Sequence, residues 1–187
     1  MWVLIAIFAA WGVFFLLSVG YFVFVYNRLV SIRNQVKKDW SMVNALLKQR
    51  HEELKKINPI CEQEIQYERN VLQDVKNATM QAENACASDD MIDIKQSEHA
   101  IKNSLLNLMA VVENYPSLKE SPSFLQLQQQ LGNLENRIYE SSEQYNQNVN
   151  RYNVKIQKFP TIIIARQFAF TPVEFMHADV VSNQAKS

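Results

Sequence analysis

From Met1 to Val25 the chain carries no charged side chain, and apolar residues dominate throughout. A helix of that length reaches roughly 37 Å, enough to cross a bilayer core of about 30 Å with some tilt. Beyond it the pattern changes to a three-four step. Leu29, Ile32, Val36, Trp40, Val43, Leu47, Leu54 and Ile57 form one apolar stripe, which predicts a helix over about 27–57 that continues the first without a break. Asn58-Pro59 should end it, because proline disfavours helix at the residue before it.

Three further helices are predicted. The second, about 60–87, shows Cys61, Ile65, Leu72, Val75, Ala78, Ala82 and Ala85, and its small residues ask for close packing. Ser88-Asp89-Asp90 can cap the next helix. The third, about 91–114, steps through Met91, Ile94, Glu98, Ile101, Leu105, Leu108 and Val112. Glu98 is the single polar member of that stripe. A buried carboxylate must be paired, and burial preferences place Glu98 at the stripe's edge, in water. Tyr115 to Pro122 reads as a loop with two prolines. The fourth helix, about 123–159, has Phe124, Leu131, Ile138, Tyr145, Tyr152 and Phe159 at heptad spacing. Its companion positions hold at Leu127 and Leu134, fail at Ser141, Asn148 and Lys155, and drift to Val149 and Ile156. Such drift suits a straight helix in a bundle better than a strict coiled-coil seam.

The expected architecture is therefore all-α: a membrane anchor at 1–26, then an up-and-down antiparallel four-helix bundle at 27–160. In that arrangement the fourth helix returns toward the membrane. The tail, 161–187, begins with Ile162, Ile163, Ile164, Phe168, Phe170 and Phe175 before turning polar and disordered. It either packs on the bundle base or inserts shallowly in the bilayer interface.

Charge sharpens the anchor reading. No Lys or Arg precedes the apolar run and no Ala-x-Ala site follows it, which disfavours a cleaved signal peptide. Arg28, Arg33, Lys37 and Lys38 follow, opposed only by Asp39. The positive-inside rule then predicts a single-pass protein with its N-terminus outside and its domain in the cytoplasm. Gly12, Ser18 and Gly20 form no GxxxG pattern. Lys plus Arg equals Asp plus Glu at 19 each in 187 residues, so there is no overall basic signal for nucleic acid. Only 3 Gly and 5 Pro interrupt the chain, as long helices require. Cys61 and Cys86, placed on one helix, would lie too far apart to bridge and are read as free thiols of a reducing compartment.

Little in the chain points to reaction chemistry. His51 opens no zinc-binding HExxH, since Lys55 stands where the second histidine belongs. The only Glu-x-x-His is Glu174 to His177, whereas di-iron bundles need such motifs in pairs. No glycine-rich phosphate loop or nucleophile elbow occurs. No catalytic residue, metal or cofactor is assigned. The polar candidates are instead Arg33, Asn34, Arg50, His51, Tyr115, Pro116, Glu135, Asn136, Arg137, Asn146 and Asn153, as contact or register residues. Asn146 and Asn153 repeat one heptad apart, as residues fixing helix register do. Arg137 beside Glu135 is more typical of a solvated face.

Several of these sit in motifs that resemble the LemA family. They are Tyr26-Asn27, Leu29-Val30, Arg33-Asn34, Val36, Trp40 and Val43; Arg50-His51; and Glu113-Asn114-Tyr115-Pro116 with Leu118-Lys119. Further on stand Phe124, Leu127-Gln128 and Leu131; Glu135-Asn136-Arg137-Ile138; Tyr145-Asn146, Val149 and Tyr152-Asn153; and Phe159-Pro160. Two departures stand out. Glu52 to Lys56 replaces the apolar turn common after Arg-His, and Ser142 stands where arginine is frequent. The resemblance implies a bacterial inner-membrane helical bundle with no accepted enzymatic activity, and MamQ-type magnetosome relatives hint at membrane organisation. The expected role is a non-enzymatic scaffold that binds protein partners or copies of itself. The alternative is a regulatory adaptor of a membrane protease or sensor kinase.

Overall fold

The computed structural model describes residues 1–62, 64–65 and 67–176, with the backbone alone for residues 3–9. The fold is all-α, and no strand occurs among the described residues. Helix α1, Trp2–Leu54, joins the uncharged run and the first amphipathic stripe in one continuous element. No proline interrupts it, and a side chain at either of its two glycines would enter open space. Leu29, Val36, Val43, Leu47 and Leu54 of the expected stripe are buried.

The next segment departs from expectation. The first helix stops at Leu54, and Asn58-Pro59 lies inside a short helix α2, Ile57–Cys61. Pro59 is tolerated there because it falls in the first turn, where a backbone N–H has no intrahelical acceptor anyway. The single helix expected over 60–87 does not form either, since α3 runs Arg69–Ser88. Glu64 and Glu68 would stack as like charges four apart on a continuous helix, which is unfavourable. Instead Glu68 Oε2 accepts from the Tyr115 hydroxyl at 2.5 Å and Glu64 Oε2 from the Ser117 hydroxyl at 2.9 Å. Cys61 and Cys86 therefore lie on different helices, both free and buried. Burial pushes the Cys61 thiol up to about 11 and raises Cys86 as well, so both resist ionisation.

Asp89 closes α3 in the left-handed region at φ 57°, and Asp90 caps α4, Met91–Val112. The Asp90 carboxylate accepts from the backbone of Ile92 at 2.8 Å and of Asp93 at 3.3 Å, as the sequence suggested. Helices α3 and α4 pack on each other, and small residues are buried on both: Ala78, Ala82 and Ala85 on one, Ser97 and Ser104 on the other. Both serine hydroxyls donate to carbonyls three residues back, at 2.9 Å, so their burial leaves no donor unmet. The expected loop at 115–122 contains a helical turn, α5, Pro116–Lys119, and α6 begins at Pro122. Both prolines start helices instead of blocking them, since the first helical position needs no N–H.

Helix α6, Pro122–Gln157, buries Phe124, Leu127, Leu134, Ile138, Tyr145, Val149, Tyr152 and Ile156. This is the heptad with the drift read from the sequence. Phe159 is the exception. The helix ends before it, and its side chain is 81% exposed. Helix α7, Thr161–Gln167, then turns Ile164 and Ala165 inward.

The chain divides into two compact units. One comprises Met1–Lys38 with Gln147–Phe175, and buries Leu29, Val36, Val149, Tyr152, Ile156, Ile164, Ala165 and Phe170. There the tail folds back: the Phe168 ring stands 5.8 Å from Phe22 and 4.8 Å from Tyr26. The other comprises Asp39–Asn146 with Met176, and its core gathers Leu54, Ile57, Leu72, Val75, Ile101, Leu108, Leu118 and Phe124. The end of the tail from residue 177, including His177, lies outside the described residues.

Ile138→Asp should cost several kcal/mol, on the order of 3–5, by placing a carboxylate without a partner at a buried site. Circular dichroism melting of the purified chain measures this, and a variant melting like wild type would remove Ile138 from the core.

Candidate functional site

The most concentrated polar chemistry among the described residues lies where α1, α4 and α6 meet. Arg50 and His51 occupy adjacent positions in the last turns of α1. Glu98 points from the buried face of α4, and Glu135 from α6. Arg50 Nη2 pairs with Glu98 Oε2, and Arg50 Nη1 donates to Glu135 Oε2 at 2.9 Å. His51 Nε2 lies 3.0 Å from the other Glu98 oxygen. One carboxylate thus receives a guanidinium on one side and an imidazole on the other. Glu98 is 2% exposed and His51 is fully buried, while Glu135 reaches partly into solvent. The expectation that Glu98 sits at a wet edge is corrected: Arg50 bridges the two carboxylates with one nitrogen on Glu98 and the other on Glu135, and a charge met in this way is stable inside the fold.

Electrostatics fixes the state of His51. Burial, and then the charges of Arg50 and Lys55, lower its pKa from 6.5 to about 4, with Glu52 pulling the other way. The ring is neutral at pH 7. With Glu98 as carboxylate, Nε2 must carry the proton and donate it, which leaves Nδ1 a bare acceptor. Nδ1 and Arg50 Nε have no hydrogen-bond partner although buried. The cluster joins three helices by charge-assisted contacts. Its chemistry is that of a lock: removing one member strands a buried charge.

The structure gathers Arg50, His51 and Glu135 from the sequence candidates and scatters the others. Asn136 and Arg137 lie exposed on α6 next to Glu135. Tyr115 is half-buried against Glu68, and Pro116 opens α5. Asn34 is exposed on α1, and the Arg33 guanidinium stands 5.7 Å over the Phe170 ring. Trp40 donates through Nε1 to Asp89 at 2.7 Å and stacks obliquely on Tyr145 at 5.5 Å, tying α1 to the turn between α3 and α4. Glu98 is the member that sequence reasoning misplaced. Its lone polar place in an apolar stripe was the available signal.

Asn146 and Asn153 fix a register, but not that of helix on helix. Each grips the backbone of the tail with both amide atoms. Asn153 donates to the Val173 carbonyl at 2.8 Å and accepts from the Val173 N–H at 2.9 Å. Asn146 treats Met176 in the same way, at 2.5 and 2.8 Å. Tyr152 adds a hydroxyl bond to the Thr171 carbonyl at 3.0 Å. The Met176 side chain meets the buried Ser142 hydroxyl at 3.4 Å. Residues 170–176 lie outside any helix, so their backbone lacks helical partners, and these side chains supply them.

Comparison with known proteins gives a coherent match. A model described as the LemA family matches residues 39–186. Protein LemA of Metamycoplasma hominis is 26% identical over 173 residues, covering 90% of this chain and 78% of that protein. Magnetosome protein MamQ of Magnetospirillum gryphiswaldense is 35% identical over 75 residues, 40% of this chain. Magnetosome protein MamQ 2 of Paramagnetospirillum magneticum is 34% identical over 73 residues, 39% of this chain. The chain spans only 28% and 27% of the length of these two magnetosome relatives.

Two outcomes test the geometry. The unfolded chain takes up a proton at His51 near pH 6.5, whereas the folded chain resists it until about 4. Stability at this residue is therefore full above pH 6.5 and lost as pH falls toward 4, by on the order of 3 kcal/mol. Denaturant titrations across that window should show the slope. His51→Gln, which retains a donor for Glu98, should flatten it, and an unchanged slope would place the titration elsewhere. Separately, Asn146→Leu with Asn153→Leu should loosen residues 171–176 and leave the helices intact. Faster amide exchange confined to that segment measures this, and unchanged protection would show that the asparagines do not hold it.

Proposed function

The chain belongs to the LemA family, and on that footing we propose that it is a membrane-anchored, non-enzymatic scaffold. Its helical domain presents a fixed surface to protein partners at the bacterial inner membrane. One observation carries the reading. Helix α1 is long and apolar enough to cross a membrane, and the same unbroken element ends in the buried Arg50–Glu98 lock. From Trp11 to Phe24 its large apolar side chains are exposed, and lipid is the solvent that suits them. Arg28, Arg33, Lys37 and Lys38 favour a cytoplasmic domain with the N-terminus outside. Two relatives that match part of the chain are named magnetosome proteins, which supports an organising role.

The buried ion pair of the domain, Arg50 with Glu98, is closed on itself inside the fold, as a structural role requires. The exposed neighbours Asn136 and Arg137, and the exposed apolar side chains of Met42, Met80, Leu106 and Leu125, are the surface left for partners. Tyr, Met and Arg are favoured at such interfaces.

A photo-crosslinking residue placed at Arg137 or Leu106 tests this in cells, once with the native anchor and once with residues 1–25 replaced by an unrelated transmembrane helix. The same discrete protein adducts should form with both anchors. Adducts lost on anchor replacement, with folding intact, would overturn the scaffold in favour of an adaptor that also contacts its membrane enzyme through α1. Absence of any protein adduct from either site would remove these faces as partner surfaces.

A further inference from the structure

The end of the uncharged run and the start of the tail form one aromatic cluster. Phe168 stands against Phe22 and Tyr26, and Phe170 lies edge-on to Tyr26 at 6.0 Å, beneath the Arg33 guanidinium. Phe22 belongs to the last turn of the run, and Arg28 and Arg33 follow within two to three turns. The residues around α7 are thereby held against the stretch of α1 where apolar side chains give way to cations.

What these residues present outward is unusual for a helix in water. Ile164 and Ala165 are buried, but Ile163 is 59% exposed, and Phe159, one turn earlier, is 81% exposed. The turn connecting them is well formed, with Lys158 accepting from the Ile162 N–H at 2.8 Å and Pro160 from the Ile163 N–H at 3.2 Å. Lys158 and Arg166 flank the two apolar side chains and are themselves exposed. Large apolar groups bracketed by long cationic ones describe an interfacial element. The apolar groups enter the boundary of acyl chains, while Lys and Arg extend to the phosphates.

We propose that residues 158–168 lie in the bilayer interface, with Phe159 and Ile163 inserted among lipid chains and Lys158 and Arg166 on anionic phospholipid headgroups. The occupant of this face is the same lipid surface that surrounds α1, to which the face is joined through Phe168 and Phe22. The proposal rests on the reading of α1 as a membrane anchor. It makes the tail a second attachment, which fixes how the first unit is seated at the membrane.

The test uses the full chain reconstituted in phosphatidylcholine–phosphatidylglycerol vesicles. Single cysteines at Ile163→Cys, Phe15→Cys and Arg137→Cys are each labelled with the environment-sensitive fluorophore NBD. Cys61 and Cys86 are buried with raised thiol pKa values, so the introduced thiol is the reactive one. Circular dichroism confirms folding of each variant. The label at 163 should emit in the blue and be quenched by brominated lipid at least about twofold more than the label at 137, with the label at 15 as the bilayer reference. A quenched label at 15 with an unquenched label at 163 would overturn the interfacial element and leave the anchor standing. Blue emission at 163 without bromolipid quenching would also overturn it, by assigning the site to a protein contact. No quenching at either 15 or 163 would overturn the anchor and the proposal together.

Discussion

The Arg50–Glu98 pair is the constraint on which the second unit depends. A carboxylate that is almost completely buried has few ways to exist, and here it faces a guanidinium on one oxygen and an imidazole on the other. Apolar stripes tolerate small slips, because one leucine can replace another against a neighbouring helix. A buried charge cannot slip, because moving by one turn would leave it unmet. The three helices that carry Arg50, Glu98 and Glu135 are thereby held at one level. His51 pays for this in basicity, since the same burial and the same guanidinium keep it neutral.

A second principle organises the first unit. Helices satisfy their own backbone, but the segment after α7 is in neither helix nor strand and cannot. Side chains of α6 take over that role, with Asn153 and Tyr152 spaced to meet Val173 and Thr171. Aromatic rings supply the apolar part of the attachment, through Phe168 and Phe170 on Tyr26. Directional hydrogen bonds and non-directional burial thus act on the same few residues, and neither suffices alone for so short a segment.

Both devices suit the scaffold proposed above, which would act through its surface. A scaffold gains from a polar network that is closed on itself, because groups engaged internally do not compete with partners. It would also gain from one continuous helix that carries exposed apolar side chains near its start and Arg50 near its end. The family relationship agrees with a helical, membrane-associated protein, and the likeness to magnetosome proteins covers only a part of those longer chains.

The sequence by itself determined the all-α class, the long uncharged helical segment at the start, a helix cap within Ser88-Asp89-Asp90 and the core face of α6. Each depends on local rules: residue periodicity, the missing proline N–H, a carboxylate beside a helix start. Local rules also misled where neighbours in space decide. Pro59, Pro116 and Pro122 read as breaks but sit in the first turns of helices, and the run after Cys61 unwinds where Glu64 and Glu68 find Ser117 and Tyr115. Only the tertiary structure could bury Glu98, because its partners Arg50 and His51 lie 48 and 47 positions before it, on another helix. Only it could give Asn146 and Asn153 a strap to hold. A charge or an amide near an apolar stripe is compatible with water or with burial, and the choice between them rests on which groups the rest of the chain brings within hydrogen-bonding distance.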